Sequence, residues 1–180
     1  MVYIMLGTGF EETEAIAPLD LLRRAGVDVL TVGVTGKTVT GSHGIAVSAD
    51  ITAEEMDLTD LDMIVLPGGM GGVASLRGSE QVLDAVRFAW ENGKFVAAIC
   101  AAPTILVQLG ITDGRQATCY PSCGSAMAGA ELVPGAAAVR DGKLITGTSA
   151  GCAVKFGLAL VAALKGEDAA NRVAEQIVIR

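Results

Sequence analysis

Aromatic residues are scarce in this chain. Four Phe, two Tyr and one Trp make up 4% of 180 residues, while 51% of the residues are hydrophobic. A core of that size built without rings must rest on Ala, Val, Ile and Leu. Positive charge is scarce as well: 13 Lys and Arg face 20 Asp and Glu, for a net charge of -7. Such a chain repels phosphate backbones, and no basic cluster extends beyond Arg23 and Arg24, so no nucleic acid is expected as a main partner. Long apolar runs are absent too. The longest, Gly157 to Leu164, reaches about half of the ~20 residues that a membrane helix needs, so no membrane role is expected. The opening MVYIMLGTGFEE lacks the basic start, apolar run and cleavage site of a signal peptide. A cytoplasmic location is therefore expected, with Cys100, Cys119, Cys123 and Cys152 as reduced thiols. Cys119 and Cys123 stand four apart, but no second pair or histidine completes a zinc site. Neither G-x-x-x-x-G-K-[ST] nor G-x-G-x-x-G occurs. No metal and no cofactor is expected.

What is present is an alternation of short apolar runs with helical spacing. Val2–Leu6, Val27–Val32, Met63–Leu66 and Phe95–Ile99 read as buried strands. Ala117–Cys119, Ala137–Val139 and Lys143–Thr146 read as further short ones. Glu12 to Ala25 carries Ile16, Leu19 and Leu22 at helical spacing and stops at Gly26, with Pro18 tolerable near the helix start or at a kink. Ser79 caps a helix through Asn92, and Gly93 ends it. Ala102 to Leu109, Gly151–Leu164 and Asp168–Ile177 complete the helices. Thr38–Ser48 reads as a hairpin-like excursion. The pattern predicts one α/β domain over residues 1–180, with a mostly parallel sheet covered on both faces. Ligands bind such sheets beyond the carboxyl ends of the strands. Three segments with unusual residues lie there: Gly7 to Glu14, Pro67 to Gly72, and Cys100 to Pro103.

Cys100 follows the most apolar strand and directly precedes a helix, which is the geometry of a nucleophile elbow. Ala98, Ala101 and Ala102 are small enough for so tight a turn, and Pro103 suits a first helical turn. A thiol at a helix start is expected to be acidified; a buried inert cysteine is the alternative. Pro67-Gly68-Gly69-Met70-Gly71-Gly72 reads either as an oxyanion-holding loop or as a flexible turn. In Glu11-Glu12-Thr13-Glu14 the helix dipole accounts for most of the acidity, and spacing alone does not choose which residue faces the cleft. His43, the only histidine, falls in the hairpin-like excursion away from the strand ends, where a loop role is expected.

Gly9-Phe10-Glu11-Glu12-Thr13-Glu14-Ala15, Leu22-Arg23-Arg24-Ala25-Gly26, Val65-Leu66-Pro67-Gly68-Gly69 and Ala97-Ala98-Ile99-Cys100-Ala101-Ala102-Pro103 together resemble the ThiJ/PfpI superfamily. The likeness is strongest to the branch that contains the Parkinson-disease protein and its bacterial relatives. It implies a flavodoxin-like three-layer sandwich, usually a homodimer. It carries the family acid onto Glu14, the nucleophile onto Cys100 and the backbone oxyanion donors onto Gly69 and Ala101, with Gly68 and Tyr120 lining the site. The protease-like branch has a histidine where this chain has Ala101, and the glutamine amidotransferases need a histidine after the nucleophile, where this chain has none. Tyr120 stands where the Parkinson-protein branch often has a histidine. The resemblance implies a cysteine-dependent stress-response enzyme acting on reactive 2-oxoaldehydes or glycated adducts, in the manner of a glutathione-independent glyoxalase or deglycase. The alternative is a redox-sensing or chaperone-like protein that uses an oxidisable Cys100. The resemblance also places Cys119 and Cys152 on loops beside Cys100. In an extended stretch, however, Cys119 faces away if Tyr120 faces the cleft.

Overall fold

The computed structural model describes residues 1–179. Its main sheet has seven strands: β1 (Val2–Leu6), β2 (Val29–Gly33), β5 (Ile51–Thr52), β6 (Met63–Leu66), β7 (Phe95–Ile99), β10 (Ala138–Asp141) and β11 (Leu144–Gly147), in the order β10-β11-β7-β6-β1-β2-β5. Every pairing is parallel except β10 with β11. A strand's side chains alternate between faces, so a strand buried on both sides must be apolar throughout. In β1, Val2, Ile4 and Leu6 meet one helical layer and Tyr3 and Met5 meet the other. In β7, Ala97 and Ile99 divide from Val96 and Ala98 in the same way. The first layer holds α1 (Glu12–Arg24), α5 (Ala153–Lys165) and α6 (Glu167–Gln176). The second holds α2 (Met70–Arg77), α3 (Glu80–Glu91) and α4 (Pro103–Gln108). This is the mostly parallel three-layer α/β sandwich expected from the alternation.

Several elements depart from the expected boundaries, each for a physical reason. The glycine-rich run after β6 is a helix start, not an extended loop. Gly69 turns the chain at φ +82, and α2 begins at Met70. Gly72 serves close packing rather than flexibility, since a Cβ there would sit 2.6 Å from the Phe10 Cα. The run Ala117–Cys119 does not join the main sheet. Only its first residue belongs to a strand, β8 (Gln116–Ala117), paired off the sheet with β9 (Glu131–Leu132), two exposed residues whose sequence carries no strand signal. β2 begins at Val29 rather than Val27. The hairpin forms as expected, with β3 (Thr38–Thr40) antiparallel to β4 (Ala46–Ser48). It is not remote from the strand ends, however. Thr40 accepts from the Gly9 N–H and Ser42 donates its N–H to Phe10, each at 2.8 Å.

Pro18 falls in the middle of α1, and the helix runs through it. Proline there leaves the Glu14 carbonyl without its usual helical donor. The turn containing Pro18 packs on Gly157 of α5, where a Cβ would come within 3.0 Å of the Pro18 Cα and 2.7 Å of Leu21 Cδ1. A large side chain at 157 must push the two helices apart. Gly157→Leu should therefore cost about 2 kcal/mol and lower Tm by roughly 4–8 °C. Scanning calorimetry should place Gly157→Ala between the two, because Leu21 Cδ1 is the mobile end of a side chain. An unchanged Tm for Gly157→Leu would show that the helices are not held this closely.

Candidate active site

β7, β6 and β1 are neighbours in the sheet, so their carboxyl ends bring three distant segments together. Cys100 leaves β7 with φ 65. A side-chain residue in that left-handed region costs about 1–2 kcal/mol, which other contacts must offset. Two backbone hydrogen bonds do so: Cys100 N–H donates to Gly147 at 2.9 Å, and the Cys100 carbonyl accepts from Tyr120 N–H at 2.8 Å. The turn lifts the side chain into a half-buried position above the sheet.

Glu14 reaches the same place from the first turn of α1. It is 1% exposed, accepts a hydrogen bond from Gly68 N–H at 2.9 Å, and is hydrogen-bonded to the Cys100 side chain. Gly68 sits between them. A Cβ there would lie 2.5 Å from Glu14 Oε2 and 2.7 Å from Cys100 Cβ, so only glycine lets the carboxyl and the thiol approach. Gly68 was expected to line the site; it is instead buried behind it as a spacer. The N–H groups of Ala101 and Gly69 are hydrogen-bonded to the Cys100 side chain.

The electrostatics of the pair differ from the simple expectation of an acidified thiol. Burial pushes Glu14 up to about 7, against hydrogen bonds from Cys100 and Gly68. Burial, and next the Glu14 charge, push Cys100 up to about 12, against the N–H groups of Ala101 and Gly69. The helix after Cys100 has six residues and starts at Pro103, so its dipole is too small to reverse this. Coupled groups release protons in steps that belong to the pair. The pair holds two protons in acid, loses one near 7, and keeps the last to about 12. Between those steps the pair carries one negative charge, and the higher value of the thiol leaves that charge on the carboxyl.

The pair opens into a cleft of about 820 Å³ whose walls include Gly69, Ala101, Tyr120, Cys123 and His43. Tyr120 is 45% exposed, while Cys119 points away into a small cluster with Ala117 and Met127, as the alternation predicts. Cys152 is not on the cleft wall and accepts from Ser149 Oγ at 3.8 Å. Cys123 is on it, and the sequence carries no signal that separates it from the other thiols. His43 is the larger surprise. The hairpin expected to carry it away from the strand ends folds back over α1 and sets it on the cleft wall. Its Nδ1 lies 2.9 Å from Glu12 Oε2. Burial alone would raise Glu12, but the His43 side chain and the backbone N–H groups of His43 and Ile45 hold it down at about 2. Glu12 in turn holds His43 above its usual value. Glu11, Glu12 and His43 place possible ligand atoms within 4.8 Å of one another. Both Glu12 oxygens are already taken by the hairpin, so an ion pair accounts for the arrangement.

A model of the DJ-1/PfpI family matches residues 1–163. The chain belongs to the DJ-1/PfpI family. Protein dj-1beta of Drosophila melanogaster is 34% identical over 178 residues, 98% of this chain and 95% of that protein. The crystal structure of Drosophila DJ-1beta superposes with a TM-score of 0.95 over 99% of this chain and 97% of that one. Protein DJ-1 homolog B of Arabidopsis thaliana is 32% identical over 181 residues, and this chain spans 41% of its length. A Pyrococcus abyssi protein named as a deglycase is 35% identical over 120 residues, 67% of this chain and 72% of its own.

Within this DJ-1/PfpI member, stability and pH follow from the buried carboxyl. A carboxyl whose folded value lies above its unfolded value of 4.5 opposes folding once ionised. The penalty is absent below 4.5, grows as pH rises towards 7, and is then complete. The raised His43 acts in the same direction, because its favourable charge is lost as pH rises. Thermal melts should show the wild type losing stability across this window and Glu14→Gln losing clearly less; equal slopes would mean that Glu14 titrates as an exposed carboxylate. Gly68→Ala should separate the pair and speed Cys100 alkylation by iodoacetamide at pH 7 by about 10-fold or more, the thiolate being the reacting form and the Glu14 charge no longer holding the thiol up. An unchanged rate would show that the contact across Gly68 is dispensable.

Proposed function

We propose that this protein is a cysteine-dependent stress-response enzyme acting on reactive 2-oxoaldehydes, or on the early adducts they form on proteins, without glutathione. The observation that carries the reading is the coupled pair of Glu14 and Cys100 in a cleft lined by Gly69 and Ala101. As the sulfur adds to an aldehyde carbon and forms a hemithioacetal, the ionised Glu14 takes the thiol proton. The aldehyde oxygen takes up the charge, is held by the two N–H groups and then receives that proton from Glu14, which is left ionised. Glu14 moves a proton from the aldehyde carbon to its neighbour. The first carbon is oxidised to a thioester and the second reduced to an alcohol, so no outside oxidant is consumed. Water releases the 2-hydroxy acid and returns the thiol. The deglycase name of the Pyrococcus abyssi relative supports this substrate class.

A free thiol fits a reducing compartment, and we place the protein in the cytoplasm. The apolar side chains of Ile16 on α1 and Ile45 on the hairpin are exposed, which supports a homodimer built on that face. A redox-sensing or chaperone-like role for Cys100 is the second reading. It is favoured by Cys123 on the same wall, a thiol that could meet an oxidised Cys100.

Purified protein should convert methylglyoxal to lactate without glutathione. Cys100→Ser should abolish turnover, and Glu14→Leu should lower it by about 10²-fold, the scale of a lost proton-transfer group. The midpoint of Cys100 alkylation against pH should move downward in Glu14→Leu, because the Glu14 charge that pushes the thiol up is gone. Absence of turnover in the wild type, together with formation of a Cys100–Cys123 disulfide under peroxide, would favour the redox reading.

A further inference from the structure

Turning a 2-oxoaldehyde into a thioester of a 2-hydroxy acid requires protons to move at carbon and also at oxygen. Glu14 is fixed against Cys100 and is suited to the carbon. A second group is needed for the oxygens, and the cleft wall supplies His43. Its orientation is over-determined. Nδ1 lies 2.9 Å from Glu12 Oε2, and the His43 N–H donates to Glu12 Oε1 at 2.7 Å. Ile45 N–H reaches Oε1 at 3.4 Å, and Ser42 Oγ donates to Oε2 at 3.2 Å. Glu12 is 7% exposed and fills the place that a Cβ on Gly41 would take. A buried carboxylate bonded to one ring nitrogen fixes the ring and its tautomer, as second partners do for metal-bound and triad histidines. Nε2 has no hydrogen-bond partner among the described residues and is the nitrogen left for a molecule in the cleft.

The charged groups around His43 are Glu12 and Glu11 at the start of α1, the latter 3.7 Å from Nδ1, and across the cleft the Glu14–Cys100 pair. All are acidic, so they favour the imidazolium and raise His43 above its usual value. Tyr120 and Cys123 share the wall, but a phenol and a thiol are by nature weaker acids than an imidazolium.

We propose that His43, oriented by Glu12, is the second proton-transfer residue of this cleft, serving the substrate oxygens while Glu14 serves the carbons. Glu14 takes the proton from the hemithioacetal carbon. The C–H electron pair forms the carbon–carbon double bond, and the carbonyl π pair takes the proton from His43 Nε2. The result is a neutral enediol, with Glu14 protonated and His43 neutral. Glu14 then protonates the second carbon. The hydroxyl on the first carbon returns its proton to His43 as the thioester carbonyl forms. Both groups end as they began. The inference rests on the proposed 2-oxoaldehyde turnover and deepens it.

The test is the pH profile of kcat and KM with methylglyoxal for the wild type, His43→Gln and Glu12→Gln, beside Cys100 alkylation rates and melting temperatures. Glutamine keeps a hydrogen bond to Glu12 but does not exchange a proton near neutral pH. His43→Gln should lower kcat by about 10²-fold with KM changed only a few-fold. It should also remove the loss of activity on the alkaline side, and leave Cys100 alkylation and Tm near the wild type. Glu12→Gln should move that alkaline loss to lower pH, since the carboxylate that favours the imidazolium is gone. Turnover in His43→Gln with an unchanged pH profile would overturn the proposal and leave the proposed function intact. No turnover in the wild type would overturn the proposed function and this inference with it.

Discussion

A carboxyl and a thiol held against each other, out of bulk water and coupled in their titration, is the interaction on which this cleft depends. Most nearby features make sense as its supports. Gly68 removes the one Cβ that would wedge the pair apart. The left-handed Cys100 is held at both ends by backbone hydrogen bonds from segments nearly 50 and 20 residues later in the chain, and their stabilisation offsets the strain of the turn. Gly69 turns its N–H to the sulfur because its own φ of +82 is open to glycine at no cost. A buried carboxyl that ionises near 7 works against folding. That cost falls where a proton must be poised near neutral pH, as expected when stability is given up locally for chemistry.

A second carboxylate, two residues before the first, has the opposite character. Glu12 is also buried, yet stays ionised because the hairpin surrounds it with donors. Glu12 and Glu14 thus begin the same helix, within a turn of each other, with values near 2 and near 7. The difference lies in the deeper burial of Glu14 and in the larger number of donors around Glu12. One acid is permanently charged and orients a ring; the other holds its proton loosely beside a sulfur.

How much of this could be read from the residues follows from how local each signal is. β1, β6 and β7 were legible because parallel strands covered on both faces are apolar throughout, and α3 because Ser79 and Gly93 mark its ends. The elbow at Cys100 was legible from small neighbours after an apolar strand. The choice of Glu14 over Glu11 and Glu12 was not; it came from the resemblance alone, since all three suit a helix start. α2 was missed because glycine is a poor helix former, and the contact that demands Gly72 lies with Phe10, far away in sequence. β5, β8 and β9 are two residues each, too short for any period to show. His43 was misplaced because its partner, Glu12, lies 31 residues earlier, and nothing local in the hairpin indicates that it folds back over α1. Cys123 was passed over because a half-buried residue in a short turn has no pattern of its own.

The central claim is that Glu14 and Cys100 titrate as one unit. The most direct measurement follows both groups in one sample: the Glu14 side-chain carboxyl by ¹³C NMR and the Cys100 thiolate by its ultraviolet absorbance, across pH, with the other three cysteines replaced by serine. The account predicts a Glu14 midpoint near 7 and a thiolate absorbance that rises only towards 12, and earlier in Glu14→Gln. A Glu14 midpoint in its ordinary range near 4.5, with the thiol titrating independently of it, would contradict the account.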